Sequence, residues 1–182
     1  MSDVDAIEIS SFLRGLRQRR KFAGERIPNE VLQDILEVAR WTGSAKNTQP
    51  WDLIVVRDRE ALRQLSESGQ FAGFLAGVDV AIVIVLQGNS RISEAYDEGR
   101  ISERIMLIAD AYELASGTGW FGNEAGQTQV RELLAIPADR YVHSAVGLGY
   151  PDPDADDRPP VTLGRRPLTD VVSYERFGTR DV

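Results

Sequence analysis

The spacing of apolar residues predicts helices that alternate with strands. Apolar residues recur at helical intervals in three segments, residues 8–20, 28–41 and 94–116, and a shorter helix is expected over Gln127–Leu134. Gly43 follows the second segment as a stop signal. From Ile105 onward the third segment is apolar almost all round, which is typical of a helix in the middle of a protein or in a subunit interface.

Three shorter apolar runs predict strands. They are Asp52–Val56, Val78–Leu86 and Tyr141–Leu148. The second run is nearly continuous and rich in β-branched residues, so we expect a central strand that is buried on both faces. Asp58 is expected to cap a helix that runs to about Leu65. A length of 182 residues suits one domain.

The composition changes after Tyr150. Five of the 8 prolines lie between Pro151 and Pro167, together with an acidic run that includes Asp156 and Asp157, and this stretch cannot form a core of its own. The chain nevertheless ends in apolar residues, namely Leu168, Val171, Val172, Tyr174 and Phe177. The segment is either a loose tail or an arm that wraps another subunit.

Composition and charge exclude several classes of function. The net charge of −7 gives no overall attraction to DNA or anionic membranes. The absence of cysteine excludes thiol catalysis, and a single histidine, His143, makes a histidine metal site improbable. Redox chemistry would therefore need a bound cofactor. The acidic start of the chain is no signal peptide, and the longest apolar run is far below the roughly 20 residues of a membrane helix, so we expect a cytoplasmic protein.

Four segments are candidates for chemistry, each with a plainer interpretation beside it. Residues 14–26 are rich in arginine and suit a phosphate, or they form a solvated helix end. Residues 43–51 form a polar loop that suits a planar ligand, or a simple connection. Residues 115–122 contain three glycines that let backbone N–H groups approach a ligand, or that merely stop a helix. The pair Arg165 and Arg166 adds to a phosphate site, or lies free on the surface.

No side chain is a clear acid, base or nucleophile. His143 lies in an apolar strand pattern, where a lone histidine is more often packed than catalytic. The acidic residues are expected on helix surfaces and in the tail, and we find no pair of carboxylates with catalytic spacing.

Taken in order, these segments resemble the nitroreductase family. The resemblance rests on the basic run Arg17-Gln18-Arg19-Arg20-Lys21-Phe22, on the stretch PNEVLQDILEVARWTGSAKNTQPW, on the glycines at 119–122, on Gly149-Tyr150-Pro151 and on Arg165-Arg166-Pro167-Leu168. It extends from about residue 12 to about residue 178. The sequence departs from the family at three positions: Gln18 stands where many members have serine, Leu16 where many have arginine, and Glu113 where glycine is commoner.

The resemblance implies an α+β sandwich, with a mostly antiparallel central sheet flanked by helices. Residues 1–150 would form the core, and residues 151–182 would form an arm of the same domain that extends onto the partner subunit. The protein would be a homodimer with FMN at the subunit interface, and would bind neither nucleic acid nor membranes.

The resemblance also implies roles for individual residues. Arg17, Gln18 and Arg20 would hold the FMN phosphate, the ribityl chain and the N1/O2 edge of the flavin, with Arg165 or Arg166 completing the phosphate site. Gly43, Ser44, Ala45 and Asn47 of the partner subunit would lie against the flavin ring. Backbone N–H groups near Gly119, Trp120 and Gly122 would face flavin N5 and O4.

The implied activity is ping-pong hydride transfer from NADH or NADPH through FMN to a nitroaromatic, a quinone or a similar small acceptor. The flavin carries the chemistry, so no catalytic side chain and no metal are expected. Two alternatives stay open: a module that only holds flavin, and a specialised flavin-dependent dehydrogenase without NAD(P)H turnover.

Overall fold

The computed structural model describes residues 5–155 and 164–180. Its helices and strands follow in this order: α1 Ala6–Gly15, α2 Asn29–Arg40, β1 Trp51–Val56, α3 Arg59–Glu67, β2 Val80–Leu86, α4 Arg91–Ala111, β3 Ala115–Trp120, α5 Glu124–Leu133, β4 Tyr141–Gly149 and α6 Leu168–Val171. Short 3-10 turns lie at Ala45–Asn47 and Gly73–Gly77. The acidic stretch with Asp156 and Asp157, for which the sequence predicts no core, falls outside the described residues.

A four-stranded antiparallel sheet in the order β1-β2-β4-β3 forms the middle of the molecule. Every residue of β2 is buried, which confirms the predicted central strand. Residues of α2 and α4 pack on one face of the sheet, and residues of α3 and α5 pack on the other. These layers form an α+β sandwich with a core on each side of the sheet.

One local signal in the sequence places the start of a helix correctly, and a second capping residue lies where no helix start was predicted. Asp58 caps α3 by accepting a hydrogen bond from the Ala61 N–H at 2.9 Å, as predicted. Asn123 caps α5 in the same way through the Gly126 N–H at 2.9 Å, so that this helix begins three residues before the predicted start, Gln127.

The predicted helix over residues 94–116 is wrong at its C-terminal end. The helix α4 ends at Ala111, and Glu113 adopts a left-handed backbone with φ 59°. The Glu113 N–H donates to the Asp110 carbonyl and the Leu114 N–H donates to the Ala109 carbonyl, which is the Schellman arrangement that ends many helices. Because glycine normally occupies this position, a glutamate there gave no stop signal.

The glycine-rich segment after α4 is a strand rather than a loop. The strand β3 pairs with β4 and forms one edge of the sheet. A Cβ at Gly117 would lie 3.1 Å from Arg20 Cγ, and one at Gly119 would lie 3.0 Å from Leu75 Cδ1. Close packing therefore favours glycine at these two positions, and Thr118 is the one β-branched residue that marks this segment as a strand.

The first helix is also shorter than predicted. It ends at Gly15 rather than near residue 20, and none of its residues is buried.

Within the described ranges 5–155 and 164–180, no helix is long and apolar enough to cross a membrane. The residues after β4 begin in contact with the core, since Pro151 forms a β-bridge with Phe22. The division into a core of residues 1–150 and an arm of residues 151–182 stays a prediction.

The strained residue at the end of α4 gives a stability prediction. Glu113→Gly should raise the free energy of unfolding by about 0.5–1 kcal/mol, because glycine adopts a left-handed backbone without steric cost. Ala111→Gly, two residues earlier at the last position of α4, should lower it by a similar amount. Urea denaturation of both variants measures the difference, and a loss of stability in Glu113→Gly would contradict the proposed strain.

Candidate functional site

The basic segment after α1 lies along the open edge of β3. The Arg19 N–H donates to the Ser116 carbonyl at 2.8 Å, and the Thr118 N–H donates to Gln18 Oε1 at 3.2 Å. Arg20 Nη2 donates to Gln18 Oε1 at 3.0 Å, and the guanidinium lies 5.1 Å from the centre of the Phe74 ring. The segment is thereby held in an extended course beside the strand, and its side chains are brought to the end of the sheet.

Three arginines from two distant parts of the chain surround one cavity of about 540 Å³, the arginine cavity. It is lined by Leu13, Arg14, Leu16, Arg17, Gln18, Glu103, Met106 and Arg165. Arg17 Nη1 donates to the carbonyls of Arg14 and Leu16, both at 2.7 Å, so its guanidinium has a defined position. The structure thus brings Arg17, Gln18 and Arg165 together, and Arg166 is exposed but does not line this cavity.

The donor set of the arginine cavity fits a phosphate group. Guanidinium groups present paired N–H donors that match phosphate oxygens, and three of them face one carboxylate, Glu103. The cavity is also open to solvent. It therefore suits one end of an elongated ligand rather than a ligand that is completely enclosed.

A second cavity of about 630 Å³, the aromatic cavity, lies at the other end of β3. It is lined by Glu67, Ser68, Gly69, Gln70, Phe71, Trp120, Phe121, Gly122, Asn123, Ala125, Gly126 and Gln129. Phe71 and Trp120 are exposed by 57% and 44% and supply apolar walls, while three side-chain amides supply donors and acceptors. Of the predicted site residues, Trp120 and Gly122 are here.

Backbone N–H groups of β3 alternate between its two edges. The Thr118 N–H points to Gln18, and the Phe121 N–H points to the His143 carbonyl in β4. The N–H of Trp120 must therefore point to the same open edge as that of Thr118, whereas the N–H of Gly119 points to β4. A ligand that lies along this edge meets the N–H of Trp120 rather than that of Gly119.

The loop predicted to contact a planar ligand has an unusual backbone. Lys46, Asn47 and Gln49 have φ values of 52°, 56° and 46°, although none of them is glycine. Ser44 Oγ accepts a hydrogen bond from the Gln49 N–H at 2.8 Å and closes the loop. Such strain persists only where the surroundings impose it and is frequent at functional sites.

The same loop does not line either cavity of its own chain. Gly43 lies against α4, where an added Cβ would be 2.8 Å from Arg100 Nη2. Gly43, Ser44, Ala45 and Asn47 are all absent from the residues that line the two cavities. Their role toward a ligand stays a prediction.

Sequence reasoning missed a buried hydrogen-bonded cluster around Glu98. This carboxylate accepts a hydrogen bond from Ser144 Oγ at 2.5 Å and lies 3.1 Å from His143 Nδ1. An irregularity in the pairing of β2 with β4 inserts one extra residue between Tyr141 and Ser144, which is how neighbouring residues of β4 both reach α4.

The expectation that acidic residues lie on helix surfaces and in the tail is wrong for α4. Glu94, Asp97 and Glu98 are buried. Their spacing continues the apolar stripe of Ile101 and Ile105 toward the N-terminus, and this was the signal in the sequence for their burial.

His143 is packed, as its place in an apolar strand predicted. Its ring stacks on Trp120 at 5.6 Å and on Tyr141 at 5.9 Å between ring centres. The histidine thus packs against Trp120, which lines the aromatic cavity.

Comparison with known proteins identifies relatives of this chain. The model of the nitroreductase family matches residues 13–70. A protein of Archaeoglobus fulgidus assigned as an NADH dehydrogenase/NAD(P)H nitroreductase is 36% identical over 149 residues, which cover 77% of this chain and 83% of that relative. A 4-nitrobenzoate reductase of a Nocardioides species is 25% identical over 206 residues, which cover 82% of this chain and 83% of the relative.

A solved structure is also similar over nearly the whole chain. It is an FMN-dependent nitroreductase from Clostridium difficile, with 26% sequence identity and a TM-score of 0.80. The superposition covers 91% of this chain and 98% of that one.

The cluster around Glu98 gives a second stability prediction. Glu98→Ala should lower the free energy of unfolding by about 1–3 kcal/mol, because the buried Ser144 hydroxyl and His143 ring lose their acceptor. Glu98→Gln, which keeps an acceptor oxygen, should lose less. Glu103→Ala, an exposed position of the same helix, is the control for stability. Equal denaturation midpoints for all three variants would show that the cluster does not stabilise the fold.

Proposed function

The chain belongs to the nitroreductase family, and from this premise we propose that it transfers hydride equivalents from NAD(P)H, through bound FMN, to a small acceptor. The acceptor is a nitroaromatic, a quinone or a similar molecule, and the two half-reactions alternate in a ping-pong sequence. The α+β sandwich implied by the family is confirmed by the sheet and its two helical layers.

The arginine cavity is the observation that carries the proposal. Arg17 and Arg165 are 148 positions apart in the sequence and line the same cavity, where they would hold the FMN phosphate. Gln18 lines this cavity and also contacts β3, so we assign it to the ribityl chain, which would connect the phosphate with the flavin ring. A phosphate there would be held by charge-assisted hydrogen bonds.

The open edge of β3 continues from this cavity and would receive the flavin ring. Arg20 is fixed beside this edge by Gln18 and by the Thr118 carbonyl, and its positive charge would stabilise negative charge at the N1/O2 edge of the ring. The N–H of Trp120 points to the same edge and would donate to the ring.

The chain needs no acid or base of its own for the reductive half-reaction. When bound, FMN supplies the hydride-accepting chemistry. The residues at the site bind the phosphate, orient the ring and set the local charge. His143 is stacked between two rings and contacts Glu98, so it serves the packing of the site, and protons for the acceptor come from water in the open cavity.

The surface of the chain supports a homodimer. Ile7, Phe12 and Leu13 of α1 are exposed, as are Leu168 and Phe177 of the C-terminal segment, with Phe177 fully exposed. Apolar side chains in such number on two segments require a covering surface. In the proposed dimer the C-terminal segment extends over the partner, and the loop with Gly43, Ser44, Ala45 and Asn47 lies against the flavin of the other subunit.

Cofactor binding tests the phosphate assignment. FMN should bind far more tightly than riboflavin, and Arg165→Ala should weaken FMN binding by about tenfold or more while leaving riboflavin unaffected. Arg26→Ala, an exposed arginine outside the arginine cavity, should change neither affinity. Calorimetric titration of the apoprotein gives these affinities. Equal affinities for FMN and riboflavin would contradict the assignment of the arginine cavity to the FMN phosphate.

Anaerobic half-reactions test the activity. NADH or NADPH alone should bleach the bound flavin, and an acceptor added afterwards should restore its colour. His143→Ala should keep the bleaching rate within a few-fold of the unaltered protein. A fall by a factor of about 100 or more is expected when a general acid or base is lost, and that result would contradict the mechanism. No bleaching by either nucleotide would favour a flavin-holding module.

Substitutions in the C-terminal segment test the dimer. Leu168→Ser combined with Phe177→Ser should shift the protein toward monomers in sedimentation velocity, because both side chains would lose a covered apolar surface. Arg165 is retained, so a loss of flavin in the same variant would follow from the loss of the partner. A variant that remains dimeric at micromolar concentration would show that the segment is dispensable for assembly.

A further inference from the structure

The aromatic cavity has a fixed shape because three stretches of backbone meet at its floor. A Cβ added at Gly69 would lie 2.1 Å from the Trp120 carbonyl oxygen, and one at Gly126 would lie 2.0 Å from the Ser68 carbonyl oxygen. Such contacts leave no room for any side chain and hold the end of α3, the end of β3 and the start of α5 together. The cavity is therefore part of the rigid fold rather than a gap between mobile loops.

The lining of this cavity suits an uncharged planar molecule. Phe71 and Trp120 offer ring faces for stacking, and the amides of Gln70, Asn123 and Gln129 offer both donors and acceptors. The volume of about 630 Å³ is ample for a single aromatic ring with substituents.

The charge of this cavity is opposite to that of the arginine cavity. Among the described residues that line it, Glu67 is the one ionisable side chain, and none is a lysine, arginine or histidine. Arg63 forms an ion pair with Glu67 at 2.5 Å and a second ion pair with Glu60 at 2.6 Å. A neighbouring cavity also has Glu67 in its lining and adds Glu132, with no cation among its described residues. Glu60, Arg63 and Glu67 together carry two negative charges and one positive charge, so an anion would meet a net negative surface here.

We propose that the aromatic cavity binds the acceptor and selects uncharged planar acceptors over anionic ones. This inference rests on the oxidoreductase function proposed above and names its substrate class: aromatic rings with nitro, carbonyl or amide groups and no carboxylate. For a nitro acceptor, one NAD(P)H and one proton are consumed for each N–O bond broken. The products are a nitroso group, NAD(P)⁺ and one water, whose two hydrogens derive from the hydride equivalent and the proton.

A matched pair of acceptors tests the selection. 4-Nitrobenzamide and 4-nitrobenzoate share the ring and the nitro group and differ in charge. With the FMN-loaded protein, kcat/KM should be higher for the amide by about tenfold or more. 4-Nitrobenzoate, the substrate in the name of the Nocardioides relative, is thus expected to be a poor acceptor for this chain.

Variants separate the effect of the cavity from the intrinsic reactivity of the two acceptors. Gln129→Lys adds a cation to the lining, and Glu67→Gln removes the anion. Each should raise the ratio of kcat/KM for the benzoate over that for the benzamide by about fivefold or more. Glu60→Gln is the control, because Glu60 also pairs with Arg63 but does not line the cavity, and it should leave the ratio unchanged.

The outcomes distinguish failure of this inference from failure of the proposed function. Bleaching of the unaltered protein by NAD(P)H, measured without acceptor, reports the function alone. If bleaching and turnover occur but neither Gln129→Lys nor Glu67→Gln moves the ratio, the acceptor does not bind in the aromatic cavity and the inference is overturned. A preference of the unaltered protein for the benzoate would overturn it as well. If no bleaching occurs, the proposed function itself fails.

Discussion

The exposed edge of β3 is the constraint on which the candidate site depends. An open strand edge presents unpaired N–H and C=O groups, and proteins cover such edges. Here the extended segment after α1 covers part of the edge, through the Arg19 N–H and the Gln18 side chain. This contact places Arg17 in the arginine cavity and Arg20 beside the strand. By strand alternation the N–H of Trp120 points to the same edge, beyond the residues that this segment contacts. Cofactor binding, in our account, completes an edge that the chain covers only in part.

The two cavities differ in the charge of their linings, so they suit different ligands. The net charge of the protein is −7, so its overall field repels anions. An anion is therefore attracted to the arginine cavity only by the arginines that line it. The described residues of the aromatic cavity include one carboxylate and no cation, and we propose that this cavity recognises its ligand by shape and by hydrogen bonds. A redox enzyme without cysteine, whose single histidine is packed against Glu98, works by binding and orienting its cofactor rather than by side-chain chemistry.

Hydrophobic pattern predicted the parts of the fold where local and tertiary preferences agree. The buried strand β2 and the Asp58 cap are examples, and both follow from residues close in sequence. The pattern failed where packing overrides preference: β3 needs glycine for close contact, and Glu113 occupies a left-handed position that glycine normally takes. For the site, resemblance named Arg17 and Arg165, but only the folded chain shows them in one cavity. Gln70 carries no distinctive local signal, whereas the apolar stripe of α4 indicated the burial of Glu98.

Amide hydrogen exchange of the Trp120 N–H, with and without FMN, tests the account most directly. By strand alternation this group points to the outer edge of β3, where it has no hydrogen-bond acceptor among the described residues, so it should exchange faster in the apoprotein than once FMN is bound. The N–H of Gly119, which points to β4, should be protected in both states and serves as the internal reference. If FMN binds and the Trp120 N–H gains no protection, the cofactor does not lie along this edge and the proposed site is wrong.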